Sequence, residues 1–291
     1  VRFKIARGAV VFGELTRTKL SAAVTFSGAA GYLLYAGWQP SPSLPSALAG
    51  IFLLSSGSSA LNQYQERRTD ALMPRTSGRP LPAGKVSPVY VLSIVMLLLL
   101  AGAIMLSLLP GQISLLLGLG TVLLYNLLYT PLKQFTSLAV IPGALTGAIP
   151  PLIGFTAAGG SVSDPPALFL AGFMFTWQLP HFWLLIAAYR SQYLNAGFSS
   201  LAGKPTDKTI RVVIPLWIIA VSTALLFAGR FGIDIGPGLW FILAAVNILV
   251  ITLFLRLLAG NDQQPITRSA FIALNGFGAA VLTILILTAL I

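Results

Sequence analysis

Long apolar runs dominate the chain, and short polar breaks separate them. Nine stretches are apolar over a spanning length of about 20 residues: 20–37, 46–62, 88–109, 112–130, 137–157, 166–189, 210–229, 236–258 and 270–291. Neither the alternation of strands nor the half-polar faces of soluble helices appear in them. The pattern predicts an all-α polytopic membrane protein. Most connectors are short and rich in Pro and Gly, as between antiparallel neighbours. Two are long, 63–87 and 190–209.

Charge tests this count. Of the eighteen Lys and Arg residues, seventeen fall on one predicted face and only Arg230 falls opposite. An incorrect count would scramble this segregation. The positive-inside rule makes the basic face cytoplasmic, with the N-terminus inside and the C-terminus outside. Both long connectors then emerge on the cytoplasmic side, where one would cap the site carried by the other. The basic stretch 1–19 leads into a hydrophobic run of spanning length, so no cleavable leader is expected.

Composition agrees. The chain has 291 residues, 56% hydrophobic and 9% charged, too apolar for a soluble fold. The net charge of +11 reflects basic membrane-facing loops rather than nucleic-acid binding. With no cysteine and one histidine, disulfides, thiolate sites and multi-histidine metal centres are excluded. A single domain over 1–291 is expected.

The chemistry concentrates in 62–85. Two of the seven acids, Glu66 and Asp70, lie four residues apart, and Asn62 lies four before them. If the second span continues as a helix, all three share one face, each about 6 Å of rise from the next. This oxygen set suits Mg²⁺, which shares its shell with phosphate and water. Arg67, Arg68, Arg75, Arg79 and Lys85 follow directly, so a metal-bridged pyrophosphate is the expected ligand. A basic loop after a span is also the ordinary positive-inside signal. That reading covers the arginines but not Glu66 and Asp70, since ionisable groups near a bilayer are costly.

The segment Asn62-x-x-x-Glu66-x-x-x-Asp70-x-x-Met73-x-Arg75-Thr76-x-x-Arg79-Pro80-Leu81 resembles the first aspartate-rich motif of the UbiA superfamily of intramembrane prenyltransferases. Three further stretches resemble its heme-modifying branch: Tyr129-Thr-Pro-Leu-Lys133, Gly147-Ala-Ile-Pro-Pro-Leu-Ile-Gly-Phe-Thr-Ala-Ala158 and Trp177-Gln-Leu-Pro-His-Phe-Trp183. The resemblance runs from about residue 15 to the C-terminus. It implies nine transmembrane helices around a central cavity, and transfer of a farnesyl group from farnesyl diphosphate to a vinyl group of heme b. It implies Mg²⁺ on Asn62, Glu66 and Asp70, with Lys133 also catalytic. The leaving diphosphate would meet Arg75, Arg79, Lys133, Arg190 and Gln192, and the heme acceptor would meet His181, Tyr129 and Trp177. Implied partners are the lipid bilayer and heme-copper oxidase assembly or heme A synthase. The implied location is the cytoplasmic (inner) membrane of a bacterium or archaeon.

An allyl cation needs a dry, partly aromatic cavity, for which Tyr125, Tyr129, Phe155, Phe175 and Trp177 are candidates, each equally suited to helix packing. Pro142, Pro150 and Pro151 are expected to interrupt the hydrogen-bond ladder of the fifth span, giving broken backbone at membrane depth. Gly143, Gly147 and Gly154 beside them allow close approach of a flat ligand or of another helix. His181 can be an axial or propionate contact to heme, a proton-handling group, or a histidine bonded to a neighbouring helix. The second loop departs from the family pattern: it reads Arg190-Ser-Gln192-Tyr193 where the heme branch has Arg-x-Asp-Tyr, and its one acid is Asp207. A second metal would then be held weakly. Other readings are a prenyltransferase for an aromatic or quinone precursor, a transporter, and a non-catalytic heme-binding membrane protein. On this topology, a cysteine placed near Ile291 is labelled by an impermeant thiol reagent from the outer face; protection from that reagent contradicts it.

Overall fold

The computed structural model describes residues 2–39, 41–198, 207–259 and 268–289. Among them the chain is helical: α1 (Arg2–Thr16), α2 (Thr18–Ala36), α3 (Ser43–Gln65), α4 (Arg67–Ala71), α5 (Pro88–Ser107), α6 (Ile113–Leu132), α7 (Val140–Ala157), α8 (Pro165–Ala188), α9 (Arg190–Asn195), α10 (Asp207–Leu225), α11 (Pro237–Ala259) and α12 (Arg268–Thr288). Each expected span is matched by a helix. Seven of them (α3, α5, α6, the helix containing α7, α8, α11 and α12) are long and apolar enough to cross a membrane. The other two expected spans correspond to the 19-residue helices α2 and α10. Large apolar side chains face outward around the bundle, among them Phe241, Val89, Met96 and Ile248. In water such a surface would be an aggregation patch; it belongs in lipid. The chain is an integral, multi-pass membrane protein.

Helix starts follow local chemistry. Ser87 accepts the Tyr90 amide (3.2 Å) at the head of α5, and Pro88 needs no partner there. Asp164 precedes Pro165 at the head of α8 but does not cap it; its carboxylate takes the Ser161 amide of the preceding turn at 2.9 Å.

Helix α7 is the most enclosed span and packs on α2, α3, α6 and α8. Small residues set those approaches. A Cβ on Gly154 would lie 1.9 Å from the Gly28 carbonyl of α2, and one on Gly31 would lie 2.0 Å from the Pro151 carbonyl. Helix α12 closes the ring against α2 and α8, and Trp177 of α8 donates to the Leu274 carbonyl at 2.9 Å.

The structure corrects two expectations. Pro150 and Pro151 remove two amide donors from the ladder, as expected, but the backbone is not broken there: α7 runs continuously from Val140 to Ala157. Phe155 is spent on packing, its ring 5.0 Å from Tyr35, and like Phe175 it is absent from the cavity wall described below. Of the second loop, 199–206 lie outside the described residues, as do the side chains of Lys204, Asp207, Lys208 and Arg268, and also Ile291.

Overpacking a tight helix contact costs about 1–3 kcal/mol. Gly154→Ala is therefore expected to lower the thermal unfolding midpoint in detergent by several degrees. Gly172→Ala, whose new Cβ meets nothing within 4 Å, is expected to leave it unchanged or slightly raised.

Candidate active site

A cavity of about 550 Å³ opens between α2, α3, α6, α7, α8 and α12. Its depth is apolar, with Ile51, Leu54, Val122, Ile153 and Leu282 on the wall. Its polar end gathers Arg17, Glu66, Asp70, Arg75, Arg79 and Lys133, four cations against two carboxylates.

The acidic face forms as the spacing predicts, with one refinement. Helix α3 ends at Gln65, and Glu66 departs from helical geometry (φ −95°, ψ 6°) before α4 resumes. The i to i−4 bonds nevertheless continue across the break: the Glu66 amide donates to the Asn62 carbonyl (2.9 Å) and the Asp70 amide to the Glu66 carbonyl (2.8 Å). Asn62, Glu66 and Asp70 stay stacked and buried, at 0%, 5% and 1% exposure. A buried carboxylate needs a cationic partner. Lys133 pairs with Glu66 at 2.7 Å and Arg79 with Asp70 at 2.5 Å. Asn62 donates to Glu66 and to Thr130 Oγ1, both at 3.1 Å, and its oxygen accepts from Arg17 Nη2 at 3.2 Å.

The cations come from separate segments. Arg17 sits at the α1–α2 junction in left-handed backbone (φ 47°), the one described non-glycine residue with positive φ. Gln63 locks that junction, donating to the Glu14 and Leu15 carbonyls at 2.8 and 2.9 Å. Lys133 follows α6, which carries a π turn over Leu124–Tyr129. That turn buries Asn126 against α3, where it bonds Ser58 and Gln65. It also presents Tyr125, Tyr129 and Thr130 to α3 and the cavity. Burial opposes the Lys133 charge; Glu66, with the rings of Tyr129, Tyr125 and Tyr193, more than offsets it and holds the ammonium above its usual range. Burial also opposes the Arg17 charge; Tyr125 and the two carboxylates outweigh it. Arg79 is shifted the other way, by burial and by the neighbouring Arg17. Positive charge is thus crowded at this end.

The second loop reaches the first. Gln192 accepts the Arg75 backbone amide at 3.2 Å, Arg75 approaches the Tyr193 hydroxyl at 3.5 Å, and its guanidinium lies 4.6 Å above the Tyr189 ring. Met73 is buried in one cluster with Tyr193 and Phe198. Gln192 and Arg190 themselves are not among the residues lining the cavity. Gln192 braces the loop that carries Arg75, and Arg190 begins α9.

Of the expected acceptor contacts, Tyr129, Trp177 and His181 all line the cavity. Tyr129 stacks on Tyr125 (5.4 Å) and lies beside Phe182 (5.7 Å), with Lys133 5.2 Å from its ring centre. His181 sits between Trp177 and Phe271, with ring centres 5.2 and 4.8 Å away; Asn275 is a side-chain hydrogen-bond partner of the imidazole, and its Nδ1 has no partner among the described residues. Gly143 and Gly147 bring α7 against Tyr129, Phe182 and Gln178 on the same wall.

Arg17, Thr130 and Asn126 were missed as site residues. The first read only as part of a basic N-terminus, and the other two carried no charge to draw notice. A polar residue inside a spanning run was the available signal for Asn126.

Among the described residues no three His, Cys, Asp or Glu converge on a point. The oxygen set of Asn62, Glu66 and Asp70 does not form an all-protein cage. It fits a hard cation that shares its shell with phosphate and water. That each of the three already faces a cationic side chain shows the place accommodates positive charge.

Comparison with known proteins identifies relatives of the chain and of its fold. The chain is 36% identical over 219 residues to a protoheme IX farnesyltransferase of Nitratidesulfovibrio vulgaris strain DP4, covering 75% of each. It is 39% identical over 208 residues to one from Geobacter sulfurreducens, covering 70% of this chain and 75% of that protein. The fold matches a structure of digeranylgeranylglyceryl phosphate synthase (TM-score 0.74, 16% identity, 97% of this chain and 98% of that one). It also matches a UbiA homolog from Archaeoglobus fulgidus bound to GPP and Mg²⁺ (TM-score 0.72, 16% identity, 96% and 99%). Residues 24–275 match the model of the UbiA prenyltransferase family, and with its acid-bearing α3 end set above an apolar cavity, the chain belongs to that family.

Proposed function

We propose that the chain transfers the farnesyl group of farnesyl diphosphate to a vinyl group of heme b, giving heme O, in a Mg²⁺-dependent reaction on the cytoplasmic face of a bacterial or archaeal inner membrane. The observation that carries this reading is one cavity with a cationic, carboxylate-bearing end and an apolar depth. That is the shape of a prenyl diphosphate. The relatives named protoheme IX farnesyltransferase support heme b as the acceptor. A nine-span topology with a cytoplasmic N-terminus and an outside C-terminus belongs to the same reading.

Asn62, Glu66 and Asp70 would hold Mg²⁺. Bound there, the metal supplies charge neutralisation for the departing diphosphate. Arg75, Arg79 and Lys133 stand where that negative charge develops, and in a site away from bulk water such fixed charges act strongly. When the C1–O bond of the farnesyl chain breaks, the electron pair leaves with the diphosphate. C1 then bonds the terminal vinyl carbon, water adds to the inner carbon, and a proton is released. The apolar wall keeps other water from C1. Tyr129 and Trp177 offer ring faces to cationic carbon. His181 and Trp177 would contact the heme from α8. Gln192 supports Arg75 through its backbone rather than touching the diphosphate, so catalysis does not need the acid usual at that position.

Purified protein incubated with heme b, farnesyl diphosphate and Mg²⁺ is expected to yield a heme heavier by one farnesyl group plus one hydroxyl group in the mass spectrum, and chelation of the metal is expected to stop it. Unmodified heme from folded protein that binds both substrates refutes the assignment. Asp70→Asn is expected to lower turnover by about a thousandfold, the scale of losing a group that acts on developing charge. Gln192→Ala removes a hydrogen bond worth about 1 kcal/mol and is expected to cost less than about tenfold; the reverse ordering overturns the roles given to the two loops. Lys133→Met leaves Glu66 buried without its cation, and is expected to reduce both turnover and thermal stability.

A further inference from the structure

One arm of the cavity follows α3 away from its polar end. Ile51, Leu54, Ser55, Ser58 and Ser59 line it from that helix. Their intervals of three and four residues make one stripe that leads down from Asn62. Leu54 lies eight residues before Asn62 and Ile51 eleven, or about 12 and 16 Å along the axis at about 1.5 Å per residue. The stripe ends on a packed floor. A Cβ on Gly118 of α6 would lie 2.6 Å from Leu106, 2.8 Å from Leu54 and 4.0 Å from Ile153 of α7. A Cβ on Gly102 of α5 would also lie 2.8 Å from Leu54. Past the floor, the buried hydroxyls of Ser114 and Thr156 bond at 2.8 Å, and Ser114 donates to the Ile153 carbonyl at 3.4 Å. These bonds tie α6 to α7 one helical turn beyond Gly118.

We propose that Leu54, Gly118 and Ile153 close this arm as a length gauge, and that they set the accepted chain at a farnesyl group by rejecting longer prenyl chains. The inference rests on the proposed function, which puts the diphosphate at the polar end and the prenyl chain in the apolar depth. An extended farnesyl backbone is about 14 Å long at about 1.5 Å per carbon–carbon bond. That falls between the depths of Leu54 and Ile51. One further isoprene unit adds about 5 Å and runs into the floor.

A gauge must not yield. Leu54 fills the space left by two glycines on two other helices, with fully buried Leu106 behind Gly118, and in such close packing even one added methylene is felt. The Ser114–Thr156 bond keeps α6 and α7 from parting at that level. A longer chain has to displace Leu54 or fold back on itself, and a shorter one leaves apolar wall uncovered. Trp177, His181 and Gly278 line the cavity from α8 and α12, so a chain laid along α3, α6 and α7 leaves that wall to the acceptor.

Equilibrium dialysis of purified protein with Mg²⁺ against the unreactive thiolodiphosphates of geranyl, farnesyl and geranylgeranyl chains tests this without heme. Wild-type protein is expected to bind the farnesyl analogue about tenfold or more tightly than either neighbour, the scale on which an apolar pocket discriminates size. Leu54→Ala opens the floor toward Leu106 and is expected to improve the geranylgeranyl analogue relative to farnesyl by about tenfold or more. Val122→Phe, one turn nearer the polar end of the same arm, is expected to make the geranyl analogue the tightest. It keeps the gauge testable if Leu54→Ala does not fold. Equal wild-type affinity for farnesyl and geranylgeranyl analogues overturns the gauge, as does an unchanged order in folded Leu54→Ala and Val122→Phe. If the wild-type order is as expected but no heme is prenylated, the acceptor assignment falls and the gauge stands. If wild-type protein binds none of the three, both readings are refuted.

Discussion

Everything at the working end of this protein depends on keeping three oxygen-bearing side chains buried at the end of α3. Asn62, Glu66 and Asp70 lie inside the protein at the edge of an apolar bundle. There an unpaired carboxylate would cost several kcal/mol. The requirement for positive partners pulls three distant pieces of chain together. The α1–α2 junction brings Arg17, the end of α6 brings Lys133, and the loop after α4 brings Arg79. The same pairings gather these cations at one end of the cavity.

The supports of these groups are polar contacts between helices. Thr130 receives Asn62 at 3.1 Å and donates to the Tyr125 carbonyl at 2.9 Å. Asn126, turned inward by the π turn, ties α6 to α3 through Ser58 and Gln65. Such turns recur inside helices at functional sites. Here the turn sets Tyr125 and Tyr129 on the cavity wall and Lys133 beside Glu66. Farther along the cavity, the glycines of α7 and their partners on α2 replace polar contacts with close packing. One helix thereby serves both the bundle and the pocket.

The second loop shows how one departure from a family pattern is accommodated. Gln192 offers a neutral oxygen to the Arg75 amide. Met73, Tyr193 and Phe198 form an apolar clasp under the same contact. The first loop is therefore braced by a neutral side chain, and the polar end gathers four cations against Glu66 and Asp70.

Much of this was readable along the chain. Apolar runs of spanning length yield the helices, because in lipid a backbone must satisfy its own hydrogen bonds. Spacing by four places Asn62, Glu66 and Asp70 on one face, and the continued i to i−4 bonds show why that holds even across the break at Glu66. Residue type alone pointed to oxygen ligands and a phosphate. Tertiary structure decided what no local pattern encodes. Arg17 becomes a site residue only because α1 is locked to α3. Thr130 and Asn126 matter only because a π turn rotates them toward a neighbouring helix. Gln192 meets the Arg75 amide because α9 docks on the first loop. Pairings over tens of residues depend on which helices meet, and the identity of a residue says what it can bind but not which partner the packing will bring to it.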